Sequence, residues 1–366
     1  MRRLWSAALL AVALPALGIA SRYPGATFLM IFPDARTTAL GGCGVALDGL
    51  DANAYYNPAC LVIGPRAAAT WMHLPGSVGY YSNASYDFAG IAYRHGERLG
   101  FAANFTYAQT GEVDVMDYRG NLVGTYRPFD IAPSISAAYR FLPCLSAGVT
   151  AKAIYRFLYP DWAARMSPEM PIDGGAEDLT FACDGGVQYR PYSSLQLGLA
   201  LANIGPDLVY TSSGETDPLP AMLRFGFALR PRIPGPVEVA LVGDVWRDLV
   251  TPTGHWGGEE SALMFWENMR DGLGLELRVA KMATVRLGYF EDIQNQTGGI
   301  LVGEGYGTRR ISLLRYLVEH HTKPRDVGWC WGVGLEYRWL RLDVGVDESI
   351  FNYATRDVRF QLSARF

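Results

Sequence analysis

The side chains able to do chemistry are few in this chain of 366 residues, and none falls in a catalytic spacing. The histidines are His73, His95, His255, His320 and His321. Only His320 and His321 adjoin, and neighbours on an extended segment point to opposite sides, a poor start for a metal cage. Gly-x-Ser-x-Gly, His-Glu-x-x-His and phosphate-loop motifs are absent from the sequence. The cysteines Cys43, Cys60, Cys144, Cys183 and Cys330 form no Cys-x-x-Cys pair. Cys43 and Cys60 could bridge in an oxidising compartment; otherwise all five read as small buried thiols. The sequons at Asn83, Asn104 and Asn295 read as coincidences. The expectation is a non-catalytic protein with no metal and no cofactor. A net charge of -4 argues against nucleic acid as a partner.

What the chain carries instead is charge at alternate positions of apolar segments. Lys152 and Arg156 oppose Val149, Ala151, Ala153, Tyr155 and Phe157. Glu276 and Arg278 oppose Leu273, Leu275, Leu277 and Val279, and Glu336 and Arg338 oppose Val333, Leu335, Tyr337 and Trp339. Period-two alternation means strands with one apolar and one polar face. The last segment is the plainest: Val358, Phe360, Leu362, Ala364 and Phe366 alternate with Arg359, Gln361, Ser363 and Arg365. It resembles the closing strand of a bacterial outer-membrane barrel, with Phe360, Leu362 and Phe366 toward lipid. A charge at mid-bilayer on the lipid face costs roughly 2–4 kcal/mol. Lys152, Arg156, Glu276, Arg278, Glu336 and Arg338 are therefore expected in the lumen, paired across neighbouring strands.

The elements that must position these residues recur along the chain. About fourteen alternating segments follow residue 65: roughly 66–74, 85–94, 98–109, 124–141, 145–159, 178–190, 195–205, 219–230, 236–248, 267–280, 282–292, 328–339, 340–350 and 356–366. Links after even-numbered segments are short and those after odd-numbered ones mostly long, which is how outer-membrane barrels sort periplasmic turns from external loops. A soluble sandwich has no reason to sort its connections so. Aromatics at 13%, charged residues at only 19% and 41 glycines suit a sheet with an apolar outer face. Trp329, Trp331, Trp339, Tyr337, Tyr353, Tyr155 and Tyr159 fall near segment ends, as interface girdles do. The predicted fold is all-β: a transmembrane antiparallel barrel of about fourteen strands with a small N-terminal plug.

Residues 1–20 read as a signal peptide, with Arg2 and Arg3 before an apolar run and Gly18-Ile19-Ala20 at its end. Residues 21–65 alternate little, and read as a plug that has no core of its own. Asp51 to Asn53 could open a short helix presenting Ala54, Tyr55 and Ala59, limited by Pro58. Residues 66–366 form the barrel, and both termini are expected in the periplasm.

Two patches match a known family. The run Asp34-Ala35-Arg36-Thr37-Thr38-Ala39-Leu40-Gly41-Gly42-Cys43-Gly44-Val45-Ala46-Leu47, with Asp51-Ala52-Asn53-Ala54-Tyr55-Tyr56-Asn57-Pro58-Ala59, resembles the N-terminal hatch of the PorV/PorQ and FadL-like outer-membrane proteins. The stretch Ala202-Asn203-Ile204-Gly205-Pro206, then Leu219-Pro220-Ala221-Met222-Leu223-Arg224, is similar to the PorV branch. Later segments around Val285–Glu291 and Gly332–Tyr337 resemble the same branch. Cys60 departs from the usual Gly after Asn-Pro-Ala, and the basic loop with Arg309, Arg310, His320, His321 and Lys323 maps onto no family feature. The resemblance implies a bacterial cell outer-membrane location, with lipid and the barrel-assembly machinery as partners. It marks Gly41, Gly42, Asn57, Pro58 and Ala59 as the plug motif, and Asn203, Gly205, Leu219, Pro220 and Arg224 as the strand motif. It implies a PorV-like part in protein export and surface attachment of secreted cargo; the alternative is FadL-like transport of a hydrophobic ligand.

Overall fold

The computed structural model describes residues 20–21, 24–48, 52–76, 83–166, 174–210, 216–251, 269–291, 298–303, 307–319, 323–347 and 357–366. Fourteen antiparallel strands close into one barrel. They are β1 Ala67–Pro75, β2 Ser85–His95, β3 Leu99–Gln109, β4 Phe129–Leu142, β5 Leu145–Tyr159, β6 Ala176–Tyr192 and β7 Leu195–Ile204. The second half is β8 Met222–Leu229, β9 Val237–Asp248, β10 Met269–Val279, β11 Ala283–Tyr289, β12 Trp329–Tyr337, β13 Leu340–Asp347 and β14 Asp357–Arg365. β14 pairs back onto β1, and the amides of Arg66 and Ala67 both donate to the Phe366 carbonyl at the seam. Closure leaves no edge strand with unpaired backbone groups, the condition for crossing hydrocarbon with strands.

Alternation decides which face each residue takes. Along β3, Leu99, Phe101 and Phe105 are exposed while Gly100, Ala102, Asn104 and Thr106 are buried. Along β10, Leu273, Leu275 and Leu277 face out and Gly272, Gly274 and Glu276 face in. The outer surface is thus a belt of Leu, Val, Ile and Phe, a surface that water does not favour and lipid does. Aromatics gather at its two rims: Tyr139 with Phe141 and Trp339 with Phe366 at the short turns, and Phe129 with Tyr107, Tyr155 and Phe157 at the long loops.

Several sequence expectations are corrected. The segment 124–141 was too long: Leu122–Tyr126 pairs with Val113–Met116 as a hairpin of its own outside the barrel, and β4 starts at Phe129. Arg338 is not a lumen residue. β12 ends at Tyr337, and Arg338 takes a left-handed conformation (φ 56°) in the tight turn to β13, exposed beside the Tyr337 ring. Ala20–Ser21 pairs with Val250–Thr251 on the long-loop side, while Phe366 lies at the short-turn rim; residues 1–19 lie outside the described residues. Cys43 and Cys60 are free thiols rather than a bridge. In the long 293–327 loop, Ile300–Val302, Arg309–Ile311 and Asp326–Val327 form a small sheet beside the helix Leu313–Glu319. Arg310 there bonds Asp326 at 2.9 Å. The expected signal peptide (apart from Ala20), His320, His321 and Tyr353 lie outside the described residues.

Candidate functional site: a plugged lumen with two unlike walls

Among the described residues four single turns carry the plug through the barrel: 3-10 turns at Thr27–Met30 and Pro58–Val62, and helical turns at Ala35–Thr38 and Asn53–Tyr56. Each is too short to persist on its own, so caps and the walls must hold it. Asp34 caps the second turn, accepting the Thr37 amide at 2.7 Å and the Thr37 hydroxyl at 2.6 Å. Thr37 also meets the Tyr56 hydroxyl at 2.5 Å, which ties the second turn to the third. Gly41 and Gly42 follow with φ of 73° and 81°, a region open to glycine and closed to most other residues. A side chain at Gly41 would strike the Tyr289 carbonyl, and one at Gly42 the Phe32 ring.

Asn57, Pro58 and Ala59 form a buried joint. Asn57 Oδ1 caps the last turn by accepting the Ala59 amide at 3.0 Å, and Pro58 takes the first helical position, where a missing N–H costs nothing. Asn57 Nδ2 donates to the carbonyls of Val45 (2.9 Å) and Val187 (3.1 Å), joining two plug segments to β6. Ser146 of β5 donates to the Ala59 carbonyl at 2.9 Å.

The plug meets a charged wall on β8–β14. Arg36 reaches Glu276 with two bonds of 2.8 and 2.9 Å. Arg286 joins Glu276 (2.7 Å) to Asp343 (2.8 Å), and Arg341 bonds Asp343 at 2.6 Å. Asp244 accepts the amides of Gly44 (2.7 Å) and Val45 (2.9 Å), and Gln361 accepts that of Ala35 at 2.8 Å. Arg359 bonds Asp347 at 2.7 Å and the Phe32 carbonyl at 3.1 Å, while Arg270 bonds Asp248. Arg224 lies 5.4 Å from the Tyr56 ring and its guanidinium touches Met222 Sδ. Of the plug's own groups, burial pushes the Cys43 thiol and the Tyr55 and Tyr56 phenols up, with Asp244 adding to Cys43 and Asp34 to Tyr56. All three stay neutral.

The wall on β1–β7 is mostly small and apolar. Toward the short turns, Leu61 and Val62 pack on Ala68, Ala92, Ala102 and Ala138. Toward the long loops, Phe28, Leu29 and Ile31 join Met72, Leu74, Tyr86, Phe88 and Ile154 in the largest apolar cluster, closed above by Leu208 and Leu219. Ion pairs interrupt this side: Arg156 bonds Asp130 (3.0 Å) near the long loops, and at a deeper node Lys152 bonds Asp184 (2.9 Å) and Asn203 (2.6 Å) and sits 5.2 Å from the Tyr55 ring. Asn203 is left-handed (φ 60°), its amide donates to Asp184 at 2.8 Å, and its side chain donates to the Pro220 carbonyl at 3.0 Å. Around this node the wall is irregular. The β6–β7 ladder slips by one residue between Leu201 and Ile204, and the β4–β5 pairing skips Ala132 and Pro133.

Of the residues singled out from the sequence, the plug motif comes together at the walls, and Asn203, Leu219, Pro220 and Gly205 form one hub around the slipped ladder; Arg224 sits apart on Tyr56. Lys152 pairs with Asp184, Arg156 with Asp130 (3.0 Å) and Arg278 with Glu336 (2.8 Å), while Glu276 joins the Arg36 network. Phe360, Leu362 and Phe366 are exposed on the outer face. Sequence reasoning passed over Arg36, Asp244, Arg286 and Gln361; the alternation that marked Glu276 applies equally to Arg286 on β11. Among the described residues no group of three His, Cys, Asp or Glu is placed to hold a metal.

No protein-family model and no curated protein matches this chain. Solved structures do match over nearly the whole length. The Ralstonia pickettii toluene transporter TbuX is 15% identical, with 92% of this chain and 98% of that one covered and a TM-score of 0.51. The Pseudomonas putida toluene transporter TodX is 11% identical over 90% of this chain and 95% of its own, also with a TM-score of 0.51. The CymD monoaromatic hydrocarbon channel is 14% identical over 96% and 98%, with a TM-score of 0.50. At such identities the likeness is one of fold: a closed fourteen-strand antiparallel transmembrane barrel.

Proposed function

We propose that this chain sits in the bacterial outer membrane and passes small hydrophobic molecules inward through its plugged lumen. The observation that carries this reading is the apolar cluster on the long-loop side, where Phe28, Leu29 and Ile31 of the plug face Met72, Leu74, Tyr86, Phe88 and Ile154 of the wall. A hydrophobe entering from outside would find apolar and aromatic surface there, beside the Arg156–Asp130 pair at the long-loop ends of β4 and β5. The slipped β6–β7 ladder and the skipped β4–β5 pairs border that cluster, and a local opening there would let the molecule leave sideways into lipid. Similarity of fold to transporters of toluene and other monoaromatics agrees with this class of cargo. The test is uptake of radiolabelled toluene by cells expressing the protein in a host without such channels. Uptake faster than in the empty host supports the reading, and an unchanged rate overturns it.

A second reading, PorV-like export of secreted proteins, rests on the similarity of the Asn203–Gly205 and Leu219–Arg224 stretches to that branch. The hub of Asn203 with Pro220 gives most of the pattern a structural reason of its own. Affinity recovery of large secreted proteins with the detergent-extracted barrel would favour export.

A further inference from the structure

At the short-turn mouth of the lumen a cavity of about 570 Å³ opens between the plug and the second half of the barrel. Its lining includes Arg36, Arg230, Arg232, Arg278, Arg341 and Arg365. Against these stand Asp48, Glu238 and Glu276, all of them already engaged: Asp48 with Arg230 at 2.6 Å, Glu276 with Arg36 at 2.8 Å, and Glu238 with Arg278 at 3.6 Å. Among the described residues, taking in Glu336 and Asp343, which lie behind the lining, still leaves guanidinium in excess. The crowding has a local signature. Burial and the charges of Arg36 and Arg190 pull Arg230 below the usual arginine value, against the opposing pull of Asp48 and Glu276. Arg278 Nε is buried with no hydrogen-bond partner.

We infer that this mouth is a binding site for a small oxyanion, carrying carboxylate or phosphate groups, held between the plug and the β8–β14 wall. Planar guanidinium groups match such oxygens in paired bonds, and a partly enclosed site strengthens them relative to water. The volume suits a small molecule or a lipid headgroup, not a folded domain. Arg36 of the plug is part of the lining, so a bound oxyanion would share Arg36 with Glu276 and touch plug and wall at once. The inference concerns the opposite end of the lumen from the apolar cluster and does not depend on what the barrel transports.

The test is titration of the full-length, detergent-folded protein at low salt with pyrophosphate and citrate, followed calorimetrically. Saturable one-to-one binding is expected, weakened about tenfold or more in Arg232→Gln/Arg278→Gln. Arg119→Gln, in an exposed turn of the outer Val113–Tyr126 hairpin, should leave it unchanged, and unaltered heat-modifiable gel mobility shows that each variant is folded. A competition arm with phosphatidylglycerol micelles separates the sources: displacement of pyrophosphate assigns a lipid headgroup, and retention assigns a free oxyanion. Absence of saturable binding by both probes, or equal weakening by Arg119→Gln, overturns the inference.

Discussion

The two walls of the lumen hold the same plug by different physics. On β1–β7 the contact is shape: glycine and alanine let the plug backbone approach, and Lys152 with Asp184 is the deeply buried ion pair on that side. On β8–β14 glycines such as Gly274 and Gly345 let the plug approach as closely, and charge is added, with Arg36, Glu276, Arg286, Asp343 and Arg341 linked in one chain of ion pairs. A shape contact resists insertion of volume but loses little when one polar group is changed. A charged contact behaves in the opposite way, because removing one partner leaves others buried without compensation. The proposed passage would need the apolar wall to loosen locally while the charged wall keeps the plug in place.

The largest effect should come from Glu276→Ala. It strips the shared partner from two buried arginines, Arg36 and Arg286, and should destabilise the folded barrel by about 3–5 kcal/mol. Urea unfolding in detergent, followed by tryptophan fluorescence, measures this. A loss below about 1 kcal/mol would mean that the network is not what anchors the plug. The neighbouring residue on β10 sharpens the point. Leu275→Arg places charge on the lipid face and should cost about 2–4 kcal/mol in lipid, with much less penalty in a loosely packed detergent. A similar loss in both media would show that Leu275 faces protein instead.

Gly148→Val probes the opposite wall. A Cβ at Gly148 would stand 2.6 Å from the Pro58 carbonyl carbon and 2.8 Å from the Ala59 nitrogen. The plug must shift, at a cost of about 1–3 kcal/mol. Hydrogen exchange should show faster amides around Ala59–Ile63 with the barrel ladders still protected. Unchanged exchange in that segment would remove the close approach on which the shape argument stands.

How far the sequence could be read follows from the same contrast. Lipid contact writes its requirement on every second residue, so strands such as β10 and β12 show themselves, and the sorting of short and long connections shows their number. The plug obeys no such period. Arg36 meets Glu276 across 240 residues and Gly44 meets Asp244 across 200, so neither partner has a local signature. Arg338 was misplaced because alternation carries on through a two-residue turn, where a left-handed backbone ends the strand instead. Asn57 and Gly41 stand out through the family pattern, and Arg36 belongs to the same matched run, but nothing local in the sequence marks it as the partner of Glu276.

Asn57→Ala is the smallest of these effects and the most direct test of how the walls communicate. The change removes the cap on the Ala59 amide and two bonds, to Val45 and Val187, without adding volume or charge. The loss should be about 1–2 kcal/mol, the scale of one cap and its attendant hydrogen bonds. Val45 is held independently by Asp244 on the charged wall, whereas Val187 belongs to β6 on the apolar wall. Exchange should therefore quicken from Asn57 to Ile63 and hardly change from Gly44 to Leu47. Faster exchange in both stretches would mean that Asn57 couples the walls, and that a hydrophobe loosening one side of the plug also loosens the other.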